Sequence, residues 1–438
     1  MTLQGTRSPL GARASSGTEL FAVLLLVLVA ARTRLPEGLS VGLLAGVAFS
    51  PIWVPALRRF RGGVLLFGLG VVAVLSGLWL TGLAALDHSV SNTQTFRNTA
   101  ILLAAITGIG VVLWARTVLP SSRVVTWLGV GTIIGIQPEN EMFASNPWKF
   151  GIGVAVTVLL LALAQRTGRR GVELVAVLAL AAVNAVSDAR SAFGMLALAG
   201  LLVAWQMLPR ARNAVGSGAR VLVALVVIAA VVYSFGQALI LDGALGEEAA
   251  ERTRQQVDTS GSALVGGRPE LGATLALMPH RPLGFGAGGL ADGADIQVAK
   301  AGMASIGYDP DNGYVDNYMF GGQIEVHSVF GDLWARYGPI GLLFGAVAIV
   351  MALRGLTSRL ATRTASALLI YVVVRAMWDF GFSPLSTSVP ILILAVGLAA
   401  QWRDGQAPEA DDTAAAKRSH GEAAPVIASV GRRSERIA

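Results

Sequence analysis

The 438-residue sequence predicts an all-α polytopic membrane protein with about 12 transmembrane helices and one large extracytoplasmic loop between helices 9 and 10. Three observations carry this expectation. Hydrophobic residues make up 54% of the chain and charged residues only 14%, against roughly 25% charged in an ordinary soluble domain. Stretches of roughly 20 mainly apolar residues, the length that crosses about 30 Å of hydrocarbon, recur along it. The arginines between those stretches fall in alternate loops, as the positive-inside rule requires of a correctly counted membrane chain.

Taken in order, residues 1–16 form a cytoplasmic N-terminal arm. Helices 1–9 occupy 17–241, with spans near 17–33, 39–57, 62–84, 99–118, 121–138, 148–165, 172–188, 191–208 and 219–241. The fifth is the shortest in apolar content, because Pro120 and Arg123 leave a core from Val124 to Ile136. The extracytoplasmic loop covers 242–328, and helices 10–12 lie within 329–402, near 333–353, 364–382 and 385–402. The arm carries no small-residue cleavage site after a short apolar core, so the first stretch reads as a retained span rather than a signal peptide. The tail, 403–438, is rich in Ala, Asp, Arg and Ser and has the composition of disorder.

The net charge is +7, from 34 basic and 27 acidic residues. Nucleic acid is excluded as a partner because the arginines mark topology instead: groups such as Arg58, Arg59 and Arg61, or Arg166, Arg169 and Arg170, alternate with loops poor in basic residues. Both termini are then cytoplasmic, in a cytoplasmic (inner or plasma) membrane. From Asp242 to Glu325 the balance reverses, with 12 acidic and 5 basic residues. A loop of this size without cysteine is expected to pack on the membrane domain rather than fold alone. Within it, Gly246 to Val257 and Arg268 to Met278 read as short helices and Gly284 to Gly289 as a turn. The chain has no cysteine, which removes disulfides, thiol catalysis and thiolate metal sites.

Three polar places stand out on the outer side. Ser187-Asp188-Ala189-Arg190-Ser191 joins two spans; Asp188 or Ser187 can cap the following helix and pair with Arg190, or Arg190 can face an anionic ligand. Gly267-Arg268-Pro269-Glu270 opens an amphipathic segment leading to His280-Arg281-Pro282-Leu283-Gly284-Phe285-Gly286, whose glycines permit close backbone approach or an anion nest. Glu325-Val326-His327-Ser328 heads the tenth span. His327 there is either an interfacial cap or a general base, since histidine titrates near neutral pH. Asp309-Pro310-Asp311-Asn312-Gly313 resembles the start of a calcium loop, but its glycine comes one position early and no closing glutamate follows. Arg375 and Asp379, four apart in the eleventh span, can pair on one helix face, and intramembrane ionisable residues are functional candidates by default.

Together these places resemble the O-antigen ligase and polymerase superfamily, over roughly Val186 to Leu353. The turn at Asp188-Ala189-Arg190-Ser191 is similar to the family's Ser-Arg-Ser type turn, Gly267-Arg268 and Pro282-Leu283-Gly284-Phe285-Gly286 to its Gly-Arg and Pro-Leu-x-Gly-x-Gly elements, and His327-Ser328 with Gly338-Pro339-Ile340-Gly341 to its helix-opening histidine. Ala189 and Arg336 depart from the family pattern. The resemblance implies a glycosyltransferase that moves a glycan from an undecaprenyl diphosphate carrier to an acceptor hydroxyl in cell-surface polysaccharide assembly. Catalysis would fall to His327, Arg190 and Arg268, with Arg190, Arg268, Gly284, Gly286 and Arg281 at the substrate. Glu325, Asp188, Arg375 and Asp379 would support them. Guanidinium groups can neutralise a departing diphosphate without a metal, so neither cofactor nor metal is expected, and in-line attack implies inversion. The partners would be the lipid-linked donor, an acceptor glycan, lipid or protein, and membrane lipids. Ligase and polymerase are not separated by these residues, and two other classes compete: a 12-span transporter using Arg190, Arg375 and Asp379, and a non-catalytic scaffold or flippase partner.

Overall fold

The computed structural model describes residues 15–33, 35, 38–138, 141–209, 223, 251, 254 and 268–404. The expected ninth span, the loop before Arg268 with its 246–257 helix, most of the N-terminal arm and the tail beyond Asp404 lie outside the described residues, save that Val223, Glu251 and Arg254 are helical. Every named element is a helix, and only two isolated bridges, Phe60 to Trp402 and Val90 to Gly289, occur among the described residues.

The chain is a multi-pass membrane protein by the length and composition of its helices. In order these are α1 (Ser16–Ala31), α2 (Val41–Ala48), α3 (Ser50–Trp53), α4 (Gly63–Ala84), α5 (Asn92–Val118), α6 (Ser121–Ile134), α7 (Glu141–Ser145), α8 (Gly153–Arg166), α9 (Arg170–Val186), α10 (Arg190–Met207), α11 (Glu270–His280), α12 (Gly293–Ala304), α13 (Val329–Ala361), α14 (Ala367–Phe382) and α15 (Leu385–Ala399). Five are long and apolar enough to cross a bilayer: α4, α5, Trp148–Arg166 containing α8, α10 and α13. A sixth is formed if α2 and the segment 50–59, bent by 61°, count as one span. The other described span positions are helical but shorter: α1, α6, α9, α14 and α15 have 16, 14, 17, 16 and 15 residues.

Their apolar faces explain the packing. In α5 78% of the most apolar window is buried, against 33% in α4, so α5 is the central helix and α4 presents Leu65, Leu75 and Trp79 outward. Helix α5 packs on α1, α2, α4 and α15, and α13 packs on α4, α14 and α15. One arginine between the spans also caps a helix. Arg116 is buried and donates to the carbonyls of Gly397 and Ala400 at 2.6 and 2.9 Å, lying over the rings of Phe60 and Trp402. A cation there satisfies the orphan carbonyls and complements the dipole of α15.

At the end where α4 stops and α5 begins, the chain from Arg281 to Leu290 forms a strap wedged between α4 and α13. The N–H groups of Phe285 and Gly286 donate to Ala335 O at 2.7 and 3.0 Å, that of Ala287 to Gly77 O at 3.1 Å, and that of Gly288 to the Thr81 hydroxyl at 3.0 Å. Helix α13 kinks to admit it: Gly338 has φ +66°, and a Cβ on it would lie 2.8 Å from the Leu283 carbonyl oxygen. Pro339, which lacks an N–H, follows directly. The Gly338-Pro339 motif is thus the seat of the strap. Helices α11 and α12 form a hairpin whose buried Ala273, Leu277, Ala299 and Met303 join Phe285 and Trp334 in one cluster. The described part of the loop therefore shares its core with the head of α13.

Candidate functional site

The head of α13 gathers the strongest polar cluster. Ser328 caps the helix, its hydroxyl accepting from Gly331 N–H at 2.9 Å. The residue before it, His327, takes φ +53°, a left-handed conformation that costs a non-glycine residue about 1–3 kcal/mol. Its ring is buried, stacks on Tyr318 at 4.8 Å between centroids, and has Nδ1 3.3 Å from the Glu325 carbonyl. Nε2 lies 3.6 Å from Glu325 Oε1, too far for a hydrogen bond, and has no other partner among the described residues. Buried polar atoms are almost always satisfied, so an open imidazole nitrogen held in a strained backbone is a functional signal.

The surroundings repeat that signal. Arg336 is buried between Glu325 and Asp332, with Nη2 3.8 and 3.6 Å from their carboxylates and 3.0 Å from Ile324 O, while its Nε and Nη1 have no partner. Asp332 is fully committed, accepting from the N–H groups of Val326 and Leu385 at 3.1 and 2.8 Å. Glu270, at the start of α11, accepts from the Tyr314 hydroxyl through Oε1 at 2.5 Å and leaves Oε2 unpartnered. Burial and then the Asp332 charge raise the Glu325 carboxyl above the usual range. Burial, with Glu325 and Glu270 adding repulsion, raises the Tyr318 phenol, and burial with Glu270 raises Tyr314. Both tyrosines therefore stay protonated donors. Arg268 lies two residues before Glu270 in the chain, and no hydrogen bond or ion pair joins its guanidinium to this group among the described residues.

Arg190 belongs to a second polar group. It opens α10, whose N-cap is Ala189 with no side-chain cap, so neither Ser187 nor Asp188 caps the helix as expected. Asp188 instead takes φ +51° and lies 3.7 Å from Arg190 Nε and 3.0 Å from Lys149 Nζ. Asn146 holds the turn by donating to Ser187 O at 2.9 Å. Two cations and the uncapped positive end of α10 converge on one carboxylate, a corner that attracts anions.

Two further sequence expectations change. Gly284 and Gly286 do not form an anion nest, because the N–H groups of residues 285–288 are spent on α4 and α13; these glycines, at φ +80° and +83°, serve close packing. Arg281 is engaged bidentately by Asp87 at 2.9 and 3.1 Å rather than left for a substrate. Lys300 bridges Asp311 and Asp316 at 3.3 and 2.9 Å, so one carboxylate of the run that only partly resembles a calcium loop is paired to an ammonium. Arg375 and Asp379 do pair, at 2.8 Å, with Ser383 donating to the same oxygen.

Sequence reading passed over Glu270, Tyr314 and Tyr318 as site members, although three of the chain's six tyrosines fall between 308 and 318. It also passed over Arg97, an exposed residue in the first turns of α5 whose charge acts on Glu325. No protein-family model, curated protein or solved structure matches this chain.

Proposed function

We propose that this protein is an O-antigen ligase-like membrane glycosyltransferase, with 12 spans and both termini cytoplasmic, acting at the extracytoplasmic face of a cytoplasmic membrane. The observation that carries the reading is His327 Nε2, buried, without a hydrogen-bond partner among the described residues and held in a left-handed backbone beside Glu325. In this reaction Nε2 takes the proton of an acceptor hydroxyl as its oxygen attacks the anomeric carbon. The bond from that carbon to the polyprenyl diphosphate oxygen breaks with inversion, and the diphosphate leaves as an anion. Arg268 and Arg190 neutralise that charge, Arg190 aided by Lys149 and the start of α10. Glu325 holds the imidazolium that forms, while Arg336 keeps the buried carboxylates compensated. The polymerase reading, in which the acceptor is a growing glycan, uses the same residues. A transporter finds less support, because Arg375 and Asp379 are neutralised by each other.

The test is transfer from a polyprenyl diphosphate-linked glycan by the purified chain. His327→Ala is expected to lose about 10²–10⁴ in rate while still folding, since alanine keeps the left-handed backbone and gives up only the ring's packing on Tyr318. Full transfer by His327→Ala removes the general-base assignment, and full transfer by both Arg190→Ala and Arg268→Ala removes the diphosphate assignment. Deletion of the gene separates the subclasses: full-length chains stranded on the carrier mark a ligase, and single repeats mark a polymerase.

A further inference from the structure

A further cluster flanks the strap, and none of its donors belongs to the His327 group. His88 follows the end of α4; its Nε2 lies 2.9 Å from Asp295 Oδ2 and 3.7 Å from Asp292 Oδ2, and the three donor atoms fall within 4.8 Å of one another. His280, at the end of α11, places Nε2 3.3 Å from Asp295 Oδ1. We infer that His88, Asp292 and Asp295, with His280 as the fourth donor, form a binding site for a divalent transition-metal cation of the zinc type, which ties the strap and α12 to the α4–α5 turn.

Geometry, outer support and charge point the same way. Metal–nitrogen and metal–oxygen bonds of 2.0–2.2 Å put tetrahedral donors about 3.3–3.6 Å apart, and the observed 2.9 and 3.7 Å bracket that spacing. The other ring nitrogen of His88, Nδ1, faces Asp87 Oδ1 at 2.8 Å. A carboxylate on the far side of the imidazole is the arrangement that orients metal-binding histidines. Arg281 also approaches the ring, with Nη1 3.0 and 3.2 Å from its nitrogens, but its charge is matched by Asp87. Three carboxylates against one guanidinium leave two negative charges, with Asp295 1% exposed and faced by histidines rather than by Lys or Arg. A dication cancels them. Two imidazoles and two carboxylates suit zinc better than calcium or magnesium, which favour oxygen shells. The partly exposed side chains of Asp292 and His280 leave a route from solution.

This inference does not depend on the transfer reading. Its test is a titration of the full chain, purified in detergent without a polyhistidine tag, stripped with chelator and given Zn²⁺ or Co²⁺ alone. One equivalent is expected to bind, with proton release as His88 Nε2 loses its hydrogen and with a visible Co²⁺ absorption band. His88→Ala is expected to abolish both signals. Asp292→Asn keeps the cap of α12, and His280→Ala changes a half-exposed position, so both fold even if His88→Ala does not; each is expected to weaken binding at least tenfold. Binding of less than one equivalent, or equal binding by wild type, Asp292→Asn and His280→Ala, overturns the proposal and leaves a histidine–aspartate ion-pair cluster.

Discussion

Gly286→Ala tests whether the strap is fastened to α4 by backbone contact. A Cβ at this position would stand 2.3 Å from Thr81 N and 2.6 Å from Leu80 C, both main-chain atoms of a helix that cannot yield locally. The left-handed φ of +83° adds about 1–2 kcal/mol for any residue with a Cβ. Overpacking adds about 1–3 kcal/mol, and the stiffer unfolded chain returns about 0.4–1 kcal/mol. The net expectation is a loss of about 1–5 kcal/mol. Gly82→Ala, also on α4, is the control: nothing lies within 4 Å of its new Cβ, so the substitution is neutral or helps by about 0.5–1 kcal/mol. Unfolding of both variants in the same detergent, followed by tryptophan fluorescence from buried Trp334, reads the difference. If Gly286→Ala unfolds with Gly82→Ala, the strap does not sit against α4 as described.

Arg336→Met is expected to destabilise by about 3–5 kcal/mol, the loss on removing one partner of a buried ionic group, since Glu325 and Asp332 would keep their charges without it; Arg336→Met together with Glu325→Gln should recover part of that loss, and unfolding of the single and double variants checks it. Glu325→Gln concerns pH. The folded carboxyl is raised by burial and by Asp332, so between the ordinary carboxyl range and its raised value the folded chain binds more protons than the unfolded one, and stability falls as pH rises through that window. The Gln variant should unfold at higher temperature at neutral pH and show a flatter profile over the same range; an unchanged slope refutes the assignment. Tyr314→Phe leaves both Glu270 oxygens buried without a donor and should cost about 1–3 kcal/mol, with unfolding as the readout.

Much of the bundle was legible because burial in lipid is close to a one-dimensional property: a run of apolar residues must be helical there to satisfy its own backbone. Every described candidate span contains helix, including 121–138 with its short core. Helix length was less legible. Arg32 ends α1 in a left-handed conformation, and Phe49 breaks the second span into two helices bent by 61°, features set by caps and neighbours rather than hydropathy. In the candidate site, Arg268, Glu325 and His327 could be singled out because ionisable groups beside a membrane are rare. Tyr314 and Tyr318 could not, since a tyrosine over an imidazole and a tyrosine on a neutral coil look alike in sequence.

The sequence by itself determined that the chain is helical and membrane-crossing, where its polar exceptions lie, and that Arg375 and Asp379 share a helix face. Only the tertiary structure decided what those exceptions do. The glycine turn at 284–289 offered N–H groups to an anion, but α4 and α13 supply carbonyls at hydrogen-bond distance and take them first. Arg281 offered a cation to a substrate, but Asp87, from nearly 200 residues earlier in the chain, neutralises it. His327 kept its open nitrogen because no hydrogen-bonding group among the described residues reaches it. Which donor meets which acceptor depends on segments far apart in sequence, and no local pattern encodes that distance.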